Sequence, residues 1–117
     1  MGLSTHVLDT MHGQPAAGMQ VQLHALHGGQ WQSMRSLTLN ADGRNPDGLL
    51  LSNTELQTGQ YRLCFSVAGY FHERGVLLPQ PPFLDVVQID FGIADITKHY
   101  HVPLLCTPWS YSTYKGS

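Results

Sequence analysis

Two histidines, His99 and His101, are separated by a single residue near the end of this 117-residue chain. Tyr100, Val102 and Leu104 occupy the alternate positions, a pattern typical of a strand with one apolar face. The two imidazoles are therefore predicted to lie side by side on the other face. Because the ordinary pKa of imidazole is about 6.5, such a pair could take and give protons near neutral pH.

The same spacing could also hold a metal ion, since residues two apart on a strand point the same way. A zinc site needs at least a third protein ligand, and no Cys, Asp or Glu stands at an obvious companion spacing. We therefore favour acid–base chemistry over a metal site as the interpretation of the pair.

Two further residues, His6 and Arg44, could take part in such chemistry, although each is ordinary when considered alone. His6 lies in residues 3–9, an alternating segment that predicts a strand. Arg44 follows an Asp-Gly pair among turn-forming residues, so its guanidinium is predicted to lie near the surface, free to contact a ligand. The remaining histidines lie in predicted turns or on polar strand faces and are interpreted as solvent-exposed: His12, His24, His27 and His72.

Strands must position these residues, because hydrophobic alternation with a period of two recurs along the chain. Further strands are predicted at residues 19–25, 31–39, 61–67, 83–93 and 111–114, separated by turns rich in Gly and Pro. One short helical turn is predicted within residues 69–75. Many short strands in about one hundred residues predict an all-β fold, an antiparallel two-sheet sandwich with one short helix.

Length and composition limit what the chain can be. With 42% hydrophobic and 12% charged residues, 117 residues fit a single domain, residues 1–117. The formal net charge of −2 leaves no basic stripe, so no nucleic acid partner is expected. No apolar run is long enough to cross a bilayer, and the start lacks the pattern of a secretory signal, so we expect no membrane partner and a cytoplasmic location.

Two other features of the composition concern thiols and association. Cys64 and Cys106 lie in separate strand-like runs without metal spacing, and they are interpreted as packing residues rather than a disulfide. The low charge content favours a homo-oligomer, since buried interfaces are depleted in Lys, Glu and Asp. The predicted edge strand at 111–114 favours it too, because its free backbone groups invite pairing with another subunit.

Six segments, taken in order, carry more information together than any of these residues alone. They are LSTHVLD at 3–9, GQPA at 13–16, DGR at 42–44, GQYR at 59–62, HYHVPLL at 99–105 and YSTYKGS at 111–117. Together they resemble the transthyretin-related 5-hydroxyisourate hydrolases over almost the whole chain. The ending discriminates best, because these hydrolases close on Tyr-Arg-Gly-Ser, which the hormone carrier transthyretin lacks.

This resemblance implies an immunoglobulin-like, transthyretin-type sandwich assembled as a homotetramer, a dimer of dimers, with active sites in the cleft between dimers. It implies hydrolysis of the ring amide of 5-hydroxyisourate, the product of urate oxidation, to 2-oxo-4-hydroxy-4-carboxy-5-ureidoimidazoline. No cofactor and no metal are expected. By match to the family motifs, His6, Arg44, His101 and Ser117 are catalytic, and His6, Arg44 and Tyr114 bind substrate. His99 is then a neighbour on the rim of the site.

These residue types can support the reaction without a metal. Either His6 or His101, neutral at working pH, would accept a proton from water, and the sequence leaves open which one does so. Arg44 would hold the substrate oxygens and the developing oxyanion. Attack by Ser117 itself is a weaker scheme, because a terminal serine without an Asp-oriented His is poorly activated.

One residue departs from the family ending, and one alternative function stays open. Lys115 stands where the family has Arg, so the positive charge is kept but the planar fork for bidentate recognition is lost. The alternative function is a transthyretin-like protein that binds a small ligand without turning it over. A channel for an apolar ligand does not require two imidazoles and an arginine at one place.

Overall fold

The computed structural model describes residues 2–116, which form nine strands and one helix. The elements in chain order are β1 (Gly2–Asp9), β2 (Gln14–Pro15), β3 (Gln20–His27), β4 (Gln30–Thr38), β5 (Leu51–Ser52), β6 (Gly59–Ser66), α1 (Val67–Glu73), β7 (Val86–Ile93), β8 (Tyr100–Cys106) and β9 (Tyr111–Thr113).

The strands form two sheets that pack face to face, as predicted. The first sheet has the order β2-β1-β8-β9, with β5 also paired to β1, and the second has the order β4-β3-β6-β7. All of these pairs are antiparallel except β1 with β8, which run parallel with Ser4 opposite His101. The predicted sandwich with one short helix is therefore confirmed, and this parallel pair is the detail that periodicity did not indicate.

The core lies between the sheets and is built from the alternate residues of each strand. In β3, Val21, Leu23 and Ala25 are buried, and Leu63 and Phe65 of the neighbouring β6 are buried opposite them. In β7, Val87 is buried while Ile89 and Phe91 are partly buried against the core, as their alternation predicted. Burying such side chains contributes about 1.5–3 kcal/mol each, so the two inner faces provide the main stabilisation of the sandwich.

The hairpin between β3 and β4 is confirmed, and its turn explains the Gly-Gly pair. Gly28 and Gly29 have φ angles of 58° and 78°, the left-handed region that a two-residue type I′ turn requires at both positions. The register of β3 with β4 shifts by one residue at a bulge, because Leu23 lies opposite Arg35 whereas His24 lies opposite Ser33.

Several boundaries differ from the predictions by one to three residues. The helix begins at Val67, directly after β6, because Val67, Ala68, Tyr70 and Phe71 are buried at helical rather than alternate spacing. The last strand of the second sheet begins at residue 86 rather than 83, and the carbonyl of Asp85 accepts a hydrogen bond from the N–H of Ala68 in α1. The short strands β2 and β5 were not predicted, since two residues carry no periodic signal.

A buried carboxylate ties the helix to β1. Asp9 is fully buried, accepts a hydrogen bond from the Tyr70 hydroxyl at 2.8 Å, and lies 2.6 Å from Nδ1 of His12. His12 is exposed as predicted, but its ring contacts this carboxylate, which sequence alone did not indicate. Cys64 and Cys106 are both free, and burial raises the pKa of Cys106 to about 12, as expected of a packing residue.

No helix within residues 2–116 has the length and apolar character that crossing a membrane requires, since α1 has only 7 residues.

Candidate active site

Neighbouring strands of the first sheet bring His6 and His101 onto one face. In β1, Leu3, Thr5 and Val7 are buried, so the intervening His6 faces outward and is half-buried. In β8, Tyr100 and Val102 are buried, and His101 faces outward in the same way. The parallel register places Ser4 opposite His101 and His6 opposite Pro103, so the two histidines are diagonal neighbours. The predicted outward orientation of His101 is confirmed, and the orientation of His6, which was not predicted, is the same.

A tight turn holds Arg44 against the same strand. Arg44 forms an antiparallel bridge with His6, and the N–H of Val7 donates to the carbonyl of Gly43 at 2.9 Å. Gly43 has a φ of 72°, and a Cβ at this position would collide with the carbonyl oxygen of Val7. The Asn40 side chain accepts from the N–H of Arg44 at 3.1 Å and closes the turn. Arg44 is exposed, as predicted, beside His6. We call the surface formed by His6, Arg44 and His101 the catalytic face, after the role that the family resemblance implies for these residues.

The environment of His6 favours its neutral form. Burial and, second, the positive charge of Arg44 lower its pKa below 6.5, whereas the backbone and the carboxylate of Asp42 act in the opposite direction. The lowering effects are larger, so His6 is mostly uncharged at pH 7 and can accept a proton.

His101 is held neutral by similar causes. Burial is the largest, followed by the charges of Arg44, His6 and His99, and together they lower the pKa of His101 below 6.5 against a smaller opposing effect of the Ser4 backbone. The catalytic face therefore presents two neutral imidazoles beside a permanent cation at pH 7.

Ser4 joins the two histidines that the sequence predicted to be side by side. Its Oγ lies 2.8 Å from Nδ1 of His101 and 3.1 Å from Nε2 of His99. The backbone N–H of Gly2 donates to Nδ1 of His99 at 3.2 Å. His99 is thus part of a hydrogen-bond network behind His101. Sequence reasoning did not single out Ser4, although its position two residues before His6 already placed it on the same strand face.

The end of the chain reaches the catalytic face through Gly116. Its backbone N–H donates to the carbonyl of His101 at 2.9 Å, and Gly116 is buried there. The Nζ of Lys115, one residue earlier, lies 5.3 Å from the centre of the Tyr100 ring. The Tyr100 side chain is buried, so Lys115 packs at the margin of the sandwich core.

Tyr114 and Ser117, the other two residues predicted from the terminal motif, have different outcomes. Tyr114 is 61% exposed and, with His101 and Lys115, lines a cavity of about 240 Å³ between β7 and the β8–β9 pair. Ser117 lies outside the described residues. The structure thus brings His6, Arg44 and His101 together and places Tyr114 at a cavity that His101 shares.

Across residues 2–116, no three His, Cys, Asp or Glu side chains are grouped closely enough to hold a metal ion. The ring nitrogens of His99 instead contact Ser4 and Gly2. The arrangement has groups that can serve a hydrolysis: imidazoles for proton transfer and a guanidinium for oxyanion stabilisation.

Comparison with known proteins gives concordant results. A sequence model of the HIUase/Transthyretin family matches residues 3–116. The 5-hydroxyisourate hydrolase 2 of Rhizobium meliloti (strain 1021) is 49% identical over 115 residues, which cover 98% of this chain and 95% of the relative. The structure of Klebsiella pneumoniae 5-hydroxyisourate hydrolase is 34% identical, covers 100% of both chains and has a TM-score of 0.78.

A further solved structure shares the fold alone. Sea bream transthyretin in complex with thyroxine is 24% identical, and the alignment covers 99% of this chain and 95% of that chain with a TM-score of 0.87.

Proposed function

The chain belongs to the HIUase/Transthyretin family, and on this premise we propose that it hydrolyses the ring amide of 5-hydroxyisourate at the catalytic face. The product is 2-oxo-4-hydroxy-4-carboxy-5-ureidoimidazoline. The observation that carries the proposal is the convergence of His6, Arg44 and His101, since the bridge from Arg44 to His6 and the register of β1 with β8 place all three on one surface.

Each of the three residues has a chemical task in this proposal. One neutral imidazole accepts the proton of the attacking water, a step worth about a hundredfold to ten-thousandfold in rate. Arg44 stays charged at every relevant pH and donates hydrogen bonds to the oxygen that becomes anionic. The same imidazole, once protonated, gives this proton to the departing nitrogen, and the second, neutral imidazole donates a hydrogen bond that orients the substrate. Tyr114 and Ser117 are proposed to orient substrate through their hydroxyls.

We also propose that the protein works as a homotetramer, a dimer of dimers, with the catalytic faces in the cleft between dimers. Leu8 and Leu105 support this, because they are half-buried on the same outer face as His6 and His101, where a second dimer would cover them. A cytoplasmic location agrees with two free cysteines, which persist in a reducing compartment.

The test uses 5-hydroxyisourate generated freshly from urate with urate oxidase, because the substrate decays spontaneously. The purified protein is expected to accelerate its disappearance, and His6→Asn is expected to lower kcat/KM by about a hundredfold or more. His27→Asn is a matched control, since His27 is exposed at the end of β3, a strand of the other sheet. If the unmodified protein gave no acceleration over spontaneous decay, the ligand-binding alternative would replace this proposal.

A further inference from the structure

Three hydrogen bonds connect Gly2 to His99, His99 to Ser4 and Ser4 to His101. The donor and the acceptor of each can be assigned in turn, starting from Gly2. A backbone N–H can only donate, so Nδ1 of His99, 3.2 Å away, must accept. A neutral imidazole carries one proton, and with Nδ1 accepting, that proton is on Nε2. Nε2 of His99 therefore donates to Ser4 Oγ at 3.1 Å.

The same reasoning continues from Ser4 to His101. A hydroxyl accepts hydrogen bonds but has one proton of its own to donate. Once Ser4 Oγ accepts from His99, the partner for its proton is Nδ1 of His101 at 2.8 Å. Among the hydrogen bonds of residues 2–116, the side chain of Ser4 takes part only in these two. With Nδ1 accepting, neutral His101 carries its proton on Nε2.

We infer that Ser4 is a positioning residue that fixes His101 as a hydrogen-bond donor through Nε2, which leaves His6 as the base that accepts the proton of water. The inference rests on the proposed function, and it assigns the two roles that the sequence left open. Ser4 contacts His101 rather than the reacting atoms, so its effect on the reaction passes through the tautomer of that ring.

The surroundings of His6 fit the role of acceptor. Burial and Arg44 favour the neutral ring of His6, and the Asp42 backbone and carboxylate oppose them less strongly. A neutral imidazole keeps a lone pair on one nitrogen, and this nitrogen can accept a proton. The charged and titratable groups that act on the two rings are Arg44, Asp42 and His99, and burial with Arg44 keeps both rings neutral.

The hydrolysis balances with these roles. Water oxygen forms a bond to the ring carbonyl carbon while one water proton passes to His6, and Arg44 stabilises the resulting oxyanion. The carbon–nitrogen bond then breaks, and its electron pair stays on the nitrogen, which takes the proton that His6 received from water. His6 is then neutral again, and His101 keeps its Nε2 proton and donates only a hydrogen bond.

The first experiment reads the tautomers directly and does not depend on turnover. In ¹⁵N-labelled protein at a pH where both rings are neutral, long-range ¹H–¹⁵N NMR distinguishes a ring with its proton on Nε2 from one with its proton on Nδ1. We expect the Nε2–H form for both His99 and His101. An Nδ1–H form of His101 would overturn the inference. A protein that failed to consume 5-hydroxyisourate would instead contradict the proposed function.

The second experiment compares variants at position 4. Ser4→Ala removes the hydroxyl, so His101 is expected to lose its preference for the Nε2–H form and kcat to fall about tenfold or more, with the melting temperature little changed. Ser4→Thr keeps the hydroxyl and is expected to restore both the tautomer and most of kcat. Ser36→Ala is the matched control, since Ser36 is exposed on β4 of the other sheet. Unchanged tautomer and kcat in Ser4→Ala would overturn the role given to Ser4.

Discussion

Gly116 lies directly against the imidazole of His101. A Cβ at position 116 would be 2.6 Å from Cδ2 and 3.0 Å from Cβ of His101, closer than side-chain atoms pack, while the Gly116 N–H holds the His101 carbonyl at 2.9 Å. Only glycine permits this approach without moving the ring. The His101 side chain is thus fixed between Ser4 on one side and the chain end on the other.

Gly116→Ala is expected to lower kcat by about tenfold to a hundredfold, because the new methyl group must displace either the His101 ring or the chain end, and small displacements of catalytic groups are costly. The fold is expected to be kept, since the contact lies at the last residues of the described chain. Steady-state kinetics with fresh 5-hydroxyisourate, together with a thermal melt, would measure both effects.

The matched control is Gly69→Ala. Gly69 is exposed in α1, and a Cβ there would meet only Ser66 Cβ, at 4.0 Å. This change is expected to leave kcat unchanged and to stabilise the helix by up to about 1 kcal/mol. A Gly116→Ala protein as active as Gly69→Ala would show that the chain end does not position His101.

Lys115 is expected to act through Tyr100 rather than by gripping substrate, because Nζ lies 5.3 Å from the centre of that ring. Lys115→Arg keeps a cation over the aromatic face, so kcat and KM are expected to stay within about twofold. Lys115→Ala removes the contact, worth about 0.5–1 kcal/mol, and loosens the chain end, which predicts a several-fold lower kcat. Equal kinetics for Lys115→Ala and Lys115→Arg would contradict this role.

As the pH is lowered, the activity is expected to fall only below pH 6.5. Burial and Arg44 lower the pKa of both His6 and His101, so each ring stays neutral as the pH falls until that lowered pKa is reached. Arg44→Gln removes the positive charge but not the burial, so both pKa values should rise toward 6.5 without passing it. NMR titration of the histidine C–H signals would measure this, and downward shifts in Arg44→Gln would contradict it.

Tyr70→Phe is expected to lower the free energy of unfolding by about 1–3 kcal/mol at pH 7, because the buried Asp9 carboxylate loses the hydrogen bond from the Tyr70 hydroxyl and keeps only those from His12. Burial alone would raise the pKa of Asp9, but bonds from His12 and Tyr70 hold it below its ordinary value. A depressed pKa stabilises the fold above the unfolded pKa, and this stabilisation is lost as the pH falls through the folded pKa.

Without the Tyr70 bond the pKa of Asp9 rises, so stability should begin to fall at a higher pH than in the unmodified protein. Urea unfolding at pH 7 and across the acid range would measure both changes. Tyr111→Phe is the control, since Tyr111 is exposed on β9 and its hydroxyl makes no hydrogen bond recorded within residues 2–116. Equal stability of the two variants would contradict the role of Tyr70.

Local pattern was enough to predict which way many side chains face. The alternation of Tyr100, Val102 and Leu104 placed His101 outward, and turn residues around Asp42-Gly43 placed Arg44 at the surface, and both hold in the structure. These features depend on the period of a strand and on turn chemistry, which a few consecutive residues determine. The series of short strands separated by Gly and Pro turns then predicted the sandwich.

The partners of those side chains depend on residues far apart in the chain. No local pattern indicated that β1 pairs with β8 in parallel. Nor did any indicate the contact of Ser4 with His101 across 97 positions, or the packing of Gly116 against the same ring. The bond of Tyr70 to Asp9 spans 61 positions in the same way. The sequence by itself determined which residues face the site, whereas the tertiary structure alone decided which groups hold them, because strand register and long-range packing arise only when both sheets are assembled.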